Sequence, residues 1–180
     1  MEPDKNRRRE MAQALASFKM RAHYIAHIAG VSERSAKLIY REVNGKSSPS
    51  GLGPDSTTWY FSPRARIHAT LFLRFYIPAK KKGMSDAEAF INAYSYYRAA
   101  AIHSVEMSPE RAYFLTKLYG SGGHIQLTRC RGCATRYITA KNEVRSSFQC
   151  PVCYGRMDAS VTLRKAFKAR AQANSAALAN

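Results

Sequence analysis

The sequence CRGCATRYITAKNEVRSSFQCPVC, residues 130–153, carries four cysteines in two close pairs. Each pair has the spacing C-x2-C, and sixteen residues of strand-like character separate the pairs. Two residues between cysteines allow a tight turn to direct both sulfurs to one point, and Gly132 and Pro151 are compatible with such turns. Two such turns complete the tetrahedral shell that Zn²⁺ prefers. The spacing therefore predicts a zinc ribbon with one structural Zn²⁺ bound by Cys130, Cys133, Cys150 and Cys153.

A four-thiolate shell argues against catalysis, because it leaves no open position for water on the metal. The nucleobase-deaminase signature, H-x-E ahead of P-C-x-x-C, does not occur in the chain. Two disulfides or four unconnected thiols are the alternatives to a metal. A module of about thirty residues buries little apolar surface, so metal binding should contribute folding free energy on the order of 10 kcal/mol. We expect the module to unfold without zinc, and we expect no enzymatic activity.

The composition is that of a folded and strongly basic protein. Of 180 residues, 46% are hydrophobic and 23% are charged, and the formal net charge is +17. Such an excess of positive charge indicates a polyanionic partner, with nucleic acid as the first candidate. Residues after position 123 include 10 basic and 2 acidic residues, so the C-terminal part has the higher charge density.

No targeting or membrane segment is evident. The N-terminus is charged and lacks the apolar core of a secretory signal. The most apolar window, residues 69–77, contains Arg74 and is far too short to cross a bilayer. We therefore expect a cytoplasmic protein without a membrane role, and a reducing cytoplasm favours metal binding over disulfides.

The part of the chain before residue 123 has helical periodicity. An apolar stripe over residues 11–29 predicts one amphipathic helix that packs on another helix or on a partner subunit, and Gly30 should end it. Ser32 should cap a second helix with Ala36, Ile39 and Val43 on its apolar side.

The following segments predict a loop and three more helices. Residues 44–56 lack periodicity and should form a long loop, which the aromatic cluster at 59–61 pins to the body. A helix should begin near Pro63 and end or kink at Pro78. Two further helices should begin at the capping box of Ser85 and at Ser108, with Pro at its first position.

The glycine run at 120–123 indicates a domain boundary. Alternating residues beyond it predict short strands, and residues 161–170 have helical spacing. The fold class is therefore mainly α: a helical, partner-binding domain over 1–123, a zinc ribbon over 124–156, and a basic tail over 157–180 that is partly disordered.

Basic residues around and after the cysteines are candidates for contacts to DNA phosphates. The alternative is that Arg129 and Arg131 offset the charge of a zinc tetrathiolate while the others form a solvated face. The candidates in this group are Arg129, Arg131, Arg136, Lys141, Arg145, Arg156, Arg164 and Lys165, and Lys168 and Arg170 continue the series.

A second candidate for DNA binding is a helix-turn-helix at residues 25–43. The turn Gly-Val-Ser joins two predicted helices, and the second helix presents Arg34, Lys37 and Arg41 outward. The alternative is an ordinary helix pair, since Ile39 and Val43 would pack in either case.

Several features together resemble the FlhC family, the zinc-containing subunit of the bacterial flagellar master transcription activator. They occur in order over residues 25–155: Val31-Ser32 followed by residues 36–43, the loop ending at residues 55–61, the segment 67–72, and the four cysteines. The cysteine spacing alone is common to many zinc ribbons, whereas the combination is specific to this family.

The resemblance implies a heteromeric complex with FlhD that binds double-stranded promoter DNA upstream of flagellar operons and helps to recruit RNA polymerase. It also implies that the four zinc-binding cysteines of the family correspond to the four cysteines of this chain. The function expected is therefore transcription activation by DNA binding. A zinc-stabilised RNA-binding protein and a structural adaptor are the alternatives, and a metal-dependent hydrolase is a further one.

Overall fold

A computed structural model of the chain describes residues 4–101, 107–120, 123–141 and 150–153. This part of the chain contains six α-helices, one short 3₁₀ helix and one antiparallel pair of strands. The α-helices are α1 (Lys5–Ser17), α2 (Ala22–Ala29), α3 (Glu33–Asn44), α4 (Pro63–Lys81), α5 (Asp86–Ala100) and α6 (Pro109–Tyr119). The 3₁₀ helix is Thr58–Phe61, and the strands are β1 (Ile125–Arg129) and β2 (Arg136–Ala140).

The predicted fold class is confirmed, because a helical body carries a small β element close to a cluster of four cysteines. Helices α1, α2 and α3 pack on one another, α4 packs along α5, and α6 contacts both α4 and α5. The hairpin lies on this body, with β1 against α6 and β2 against α4. The helical residues predicted at 161–170 lie outside the described part of the chain.

The single helix predicted over residues 11–29 is wrong, because the chain breaks after Ser17 and restarts at Ala22. Lys19 adopts a left-handed conformation with φ of 63°, and the amide of Met20 donates to the carbonyl of Leu15. Leu15 before the break and Ala22 and Ile25 after it are all buried, so residues of the predicted apolar stripe reach the core on both sides of the break. No glycine or proline marks the turn in the sequence, which explains why periodicity alone did not reveal it.

The connection between α2 and α3 matches its prediction. Gly30 ends α2 with φ of 66°, in the left-handed region that glycine adopts without cost. The hydroxyl of Ser32 accepts from the amide of Ser35 at 3.2 Å and caps α3. Two helices thus meet at a three-residue turn, residues 30–32.

The apolar face of α3 differs from its prediction at one position. Ala36 and Ile39 are buried as expected, whereas Val43 is 40% exposed. Tyr40 is buried instead, and the Asn44 amide donates to the carbonyls of Ala16 and Tyr40. The buried face of α3 therefore consists of Ala36, Ile39 and Tyr40 and does not include Val43.

The segment before α4 is a loop without helix or strand at residues 45–57, in agreement with the sequence. Tyr60 is fully buried and donates from its hydroxyl to the carbonyl of Arg111 at 2.7 Å. Arg21 donates to the carbonyls of Gly51 and Leu52. The helical body therefore holds the loop at its middle and just beyond its C-terminal end.

Helix α4 begins at Pro63 as predicted, but it continues through Pro78 to Lys81. A proline inside a helix removes one backbone hydrogen bond, here the one to the carbonyl of Arg74. Tyr76 lies two residues before Pro78 and Ala79 directly follows it, and both are buried. Packing therefore holds the last turn of α4 against the body. This extension brings the basic C-terminal end of α4 to the β hairpin.

Helices α5 and α6 begin as their caps predict. The side chain of Ser85 and that of Glu88 complete a capping box at α5. Ser108 caps α6 through the amide of Arg111, and Pro109 occupies the first helical position.

Buried aromatic side chains form the centre of the body. Phe72 lies between the rings of Phe90, Tyr94 and Tyr97, with centroids 5.9 to 6.5 Å away. Burial raises the pKa of Tyr94, whose hydroxyl donates to the carbonyl of Met107 at 3.0 Å. The Tyr97 hydroxyl lies 2.8 Å from His68 Nδ1 and accepts from the Met107 amide at 3.2 Å. The buried hydroxyls thus join α4, α5 and the start of α6 by directional bonds.

The hairpin shares the core of the helical body. Ile125 and Ile138 are buried in the same cluster as the helical core residues. The amide of Ile138 donates to the hydroxyl of Thr70 on α4 at 3.2 Å. In the hairpin, Ile125 pairs with Ala140 and Arg129 pairs with Arg136. The two arginines therefore lie at the turn end of the hairpin, the end farther from residue 123. The hairpin therefore has a defined position from which it presents the cysteines.

We predict that Tyr97→Phe destabilises the protein by about 1–3 kcal/mol, because the buried Met107 amide and the His68 ring each lose a hydrogen-bond partner. The change in stability is measured by urea unfolding of the metal-loaded protein, monitored by circular dichroism. Tyr96→Phe is the matched control, since Tyr96 is 56% exposed, and it should change stability by less than about 0.5 kcal/mol. Equal effects of the two substitutions would contradict the role assigned to the buried hydroxyl.

Candidate metal centre and nucleic-acid interface

The first cysteine pair lies in the turn that joins β1 to β2. The amide of Cys130 donates to the carbonyl of Thr135 at 2.9 Å, and the amide of Ala134 donates to the carbonyl of Cys130 at 3.0 Å. These bonds extend the hairpin beyond the last strand pair and fold the chain back within five residues. Both sulfurs of the pair are thereby held at the tip of the hairpin.

The residue with the left-handed conformation in this turn is Ala134, with φ of 61°. The sequence favoured Gly132 as the turn residue, but a Cβ at Gly132 would meet the Cys153 and Cys130 sulfurs at ordinary distances of 3.6 and 3.9 Å. Gly132 instead contributes its amide, which donates to Cys130 Sγ at 3.3 Å. Its backbone, rather than its missing side chain, supports the site.

The second cysteine pair meets the first, so that all four sulfurs lie within 4.8 Å of one another. The Cys130 and Cys153 sulfurs are 3.7 Å apart, and those of Cys133 and Cys150 are 3.6 Å apart. A tetrahedral shell with metal–sulfur bonds of about 2.3 Å has edges of about 3.8 Å, close to these separations. All four are free thiols, which contradicts the alternative of two disulfides.

The pKa values of the thiols diverge with their surroundings. Hydrogen bonds from the Thr135 side chain and amide lower the pKa of Cys133 to about 6, and backbone amides of Cys133 and Gly132 lower that of Cys130. Hydrogen bonding with the Cys133 and Cys130 sulfurs raises the pKa of Cys153 to about 12, and burial raises that of Cys150. Four thiolates this close repel one another unless a cation lies between them. The donor set therefore fits a metal ion, and the cluster can hold one.

A basic cleft of about 1250 Å³ adjoins the hairpin, and it is bounded by α4, α6 and both strands. Arg129 and Arg136 face each other directly across the last strand pair, an arrangement in which like charges destabilise a hairpin. The basic residues that line the cleft, which we call the basic cleft residues, are Lys80, Lys81, Lys117, Arg129, Arg136 and Lys141.

Asp86 is the single acidic residue among those that line the basic cleft. Its carboxylate pairs with the ammonium of Lys80 at 2.7 Å. The hydrogen bond from Lys80 lowers the pKa of Asp86, although burial opposes the shift, and the charges of Lys80 and Lys117 lower it further. The cleft thus has a positive potential that its own carboxylate does not neutralise.

The cleft brings together three of the predicted DNA-contacting residues, Arg129, Arg136 and Lys141, with three that sequence reasoning missed. Lys80 and Lys81 belong to a run of lysines at the end of α4, a signal that the expected helix end at Pro78 obscured. Lys117 lies on α6, and nothing in its local sequence marked it. The association of these residues is visible only in the tertiary structure.

The other predicted DNA-contacting residues are not in the cleft. Arg131 is exposed on the first cysteine turn. Arg34, Lys37 and Arg41 are exposed on α3, which packs on α1 and α2 rather than on the hairpin. Arg145, Arg156, Arg164, Lys165, Lys168 and Arg170 lie outside the described residues, where their predicted roles stay predictions.

Comparison with known proteins supports a regulatory role. No helix in the described parts of the chain has the length and apolar character needed to span a membrane. Residues 5–166 match the family model described as flagellar transcriptional activator (FlhC).

Proteins named flagellar transcriptional regulator FlhC resemble the chain over most of its length. The one from Gallionella capsiferriformans (strain ES-2) is 35% identical over 139 residues, which are 74% of this chain and 75% of that protein. The one from Serratia marcescens is 28% identical over 149 residues, covering 80% of this chain and 76% of the relative. The one from Yersinia enterocolitica is 32% identical over 120 residues, covering 64% and 62%. The chain therefore belongs to the FlhC family of flagellar transcriptional regulators.

Proposed function

We propose that this protein is the zinc-containing, DNA-binding subunit of a transcription activator, which acts with FlhD at flagellar operon promoters and contacts RNA polymerase. Family membership supports the regulatory role. The observation that carries DNA binding is the basic cleft, in which two arginines oppose each other beside the cysteine cluster. The protein acts in the cytoplasm and catalyses no reaction.

Zinc is the metal that we assign to Cys130, Cys133, Cys150 and Cys153. Tetrahedral thiolate sets select Zn²⁺ or iron, and Zn²⁺ is the usual ion of two C-x2-C turns on a hairpin. When bound, the ion supplies no chemistry beyond neutralising the thiolates and crosslinking the two turns. The ion then makes residues 124–156 a ribbon that is joined to a helical domain of residues 1–123 and followed by a basic tail at 157–180.

Phosphate binding explains the charge arrangement of the basic cleft. Arg129 and Arg136 repel each other in the free protein, and an anion between them removes that penalty. Lysines from α4 and α6 extend the same positive surface across the helical body. A DNA backbone laid over the cleft would release several condensed counterions, which is the main source of affinity in such complexes.

Base reading is the role that we assign to α3. Arg34, Lys37 and Arg41 recur at helical spacing and are exposed, and Leu38 beside them is 56% exposed. The three-residue turn before α3 and the burial of Ala36 and Ile39 are consistent with a helix-turn-helix whose second helix enters the major groove. Zinc-stabilised RNA binding and a structural adaptor without nucleic-acid contact are the competing functions.

Elemental analysis of freshly purified, reduced protein should give one equivalent of zinc per chain. Cys150→Ser should lose this metal on dialysis against a chelator, because three thiolates do not complete the shell. Hydrogen exchange should then increase at Cys130 to Thr135, since metal binding contributes on the order of 10 kcal/mol to such modules. Gly132→Ala is the matched control in the same turn and should keep its metal, because the added Cβ makes only ordinary contacts. Wild-type protein without stoichiometric metal would contradict the zinc assignment.

DNA affinity should fall by a factor of order 10³ or more between 50 and 200 mM salt if six or more phosphates are contacted. Arg129→Gln and Lys117→Gln should each reduce the slope of log K against log salt by about 0.9. Fluorescence anisotropy with labelled promoter DNA and the complex with FlhD measures both quantities. Lys46→Gln, a substitution on the exposed loop, is the control and should leave the slope unchanged. A shallow slope of log K against log salt in the wild type would favour the structural-adaptor function. Preferential displacement of DNA by structured RNA would favour RNA binding.

Lys37→Ala should reduce discrimination between promoter DNA and a scrambled duplex by about 1–3 kcal/mol and should weaken binding to the scrambled duplex much less. The reason is that base contacts carry sequence information, whereas phosphate contacts do not. Competition binding with the two duplexes measures the difference, with Lys46→Ala as the control. An equal loss of affinity for both duplexes would indicate that α3 contacts phosphates and does not read bases.

A further inference from the structure

An apolar groove of about 820 Å³ lies between α4 and the second cysteine pair, next to the basic cleft. Ile67, Leu71 and Ile77 of α4 form one wall, and Pro151 and Val152 form the other. Ile67 is 48% exposed and Val152 is 37% exposed, so both walls present large apolar side chains to solvent. Such a surface on a folded domain marks an interaction site.

The charged residues that line the groove are all basic. Arg74, Lys81, Lys82 and Arg136 lie along it, and its lining residues include no aspartate or glutamate. Arg74 and Lys82 belong to the groove and do not line the basic cleft, whereas Lys81 and Arg136 line both. The groove therefore has apolar walls with basic residues beside them. Such a surface is complementary to a ligand that presents apolar side chains flanked by acidic ones.

The dimensions of the groove fit a helix. The lining residues of α4 run from Ile67 to Lys82, which is about 22 Å along a helix axis. A ligand helix of about 15 residues has the same length. In such a helix, apolar residues at i, i+3, i+4 and i+7 lie on one face. This spacing is the usual one for a helix bound in a groove.

The charge of the chain itself argues against two occupants. Residues 157–180 carry four basic residues and one acidic residue, so the basic residues of the groove repel them. A second copy of the chain has a formal net charge of +17 and meets the same repulsion. We propose that the groove binds an acidic amphipathic helix of a partner protein. This interaction does not depend on DNA binding.

The test uses fluorescence anisotropy with three labelled peptides of 16 residues and the zinc-loaded full chain. The first peptide has Leu at the i, i+3, i+4 and i+7 positions and Glu at most others, the second has Lys in place of Glu, and the third has Ser in place of Leu. The first peptide should bind at least about tenfold more tightly than either of the others, because only it matches both the apolar walls and the basic residues of the groove. Ile67→Glu and Arg74→Glu should each weaken its binding by about tenfold.

Matched controls separate the groove from the overall positive charge. Leu52→Glu and Lys46→Glu make the same charge changes on the exposed loop and should leave peptide binding unchanged. Circular dichroism and metal content show whether the variants fold, and promoter binding by Ile67→Glu and Arg74→Glu should stay at the wild-type level, since neither residue lines the basic cleft. Loss of promoter binding by these two variants would place the groove in the DNA-binding surface and count against the proposal. Failure of the wild-type protein to bind promoter DNA would count against the proposed function and not against the groove.

Three results would overturn the proposal. The first is binding of the acidic peptide that is insensitive to Ile67→Glu. The second is tighter binding of a peptide with the sequence of residues 157–180, which would assign the groove to the chain's own tail. The third is self-association of the full chain that Ile67→Glu abolishes in sedimentation, which would assign the groove to a second copy.

Discussion

Mutual repulsion among four closely spaced sulfurs is the constraint on which the C-terminal part of this structure depends. The sulfurs come within 4.8 Å of one another, and four thiolates held this close repel one another unless a cation lies between them. The cluster can hold one metal ion, which would join the hairpin tip to the second cysteine turn. Residues 150–153 are distant in sequence from the hairpin tip, yet the Cys150 and Cys153 sulfurs lie 3.6 and 3.7 Å from those of Cys133 and Cys130.

Both proposed binding surfaces are built around this junction. Arg129 and Arg136 flank the first cysteine turn, and their positions follow from the strand register that leads into it. Pro151 and Val152 lie between the second pair of cysteines and form one wall of the apolar groove. The helical body provides the remainder of each surface, chiefly through α4. A metal ion held by the four cysteines would therefore affect surfaces that contain no metal ligand.

The attachment of the hairpin to the helices gives these surfaces their rigidity. Ile125 and Ile138 are buried in the core of the body, and Thr70 accepts the Ile138 amide. The extension of α4 past Pro78 then places Lys80 and Lys81 beside the strands. A small module alone buries too little apolar surface to hold a fixed orientation, so the shared core is needed for a basic cleft with a defined shape.

The sequence by itself determined the features that depend on local spacing and local chemistry. These are the mainly helical class, the caps of α3, α5 and α6, the two cysteine turns, and the family, because each is encoded within a few residues or in an ordered set of motifs. Only the three-dimensional structure decided the break at Lys19, the passage of α4 through Pro78 and the left-handed conformation of Ala134, since core packing or the hydrogen bonds of a closed turn hold each of these against local preference. It also decided that Lys80 and Lys117 line one cleft with Arg129, and that Ile67 lines one groove with Val152. Periodicity shows which side of a helix is apolar, but the proximity of residues far apart in the chain arises from the packing of whole elements, which no local pattern records.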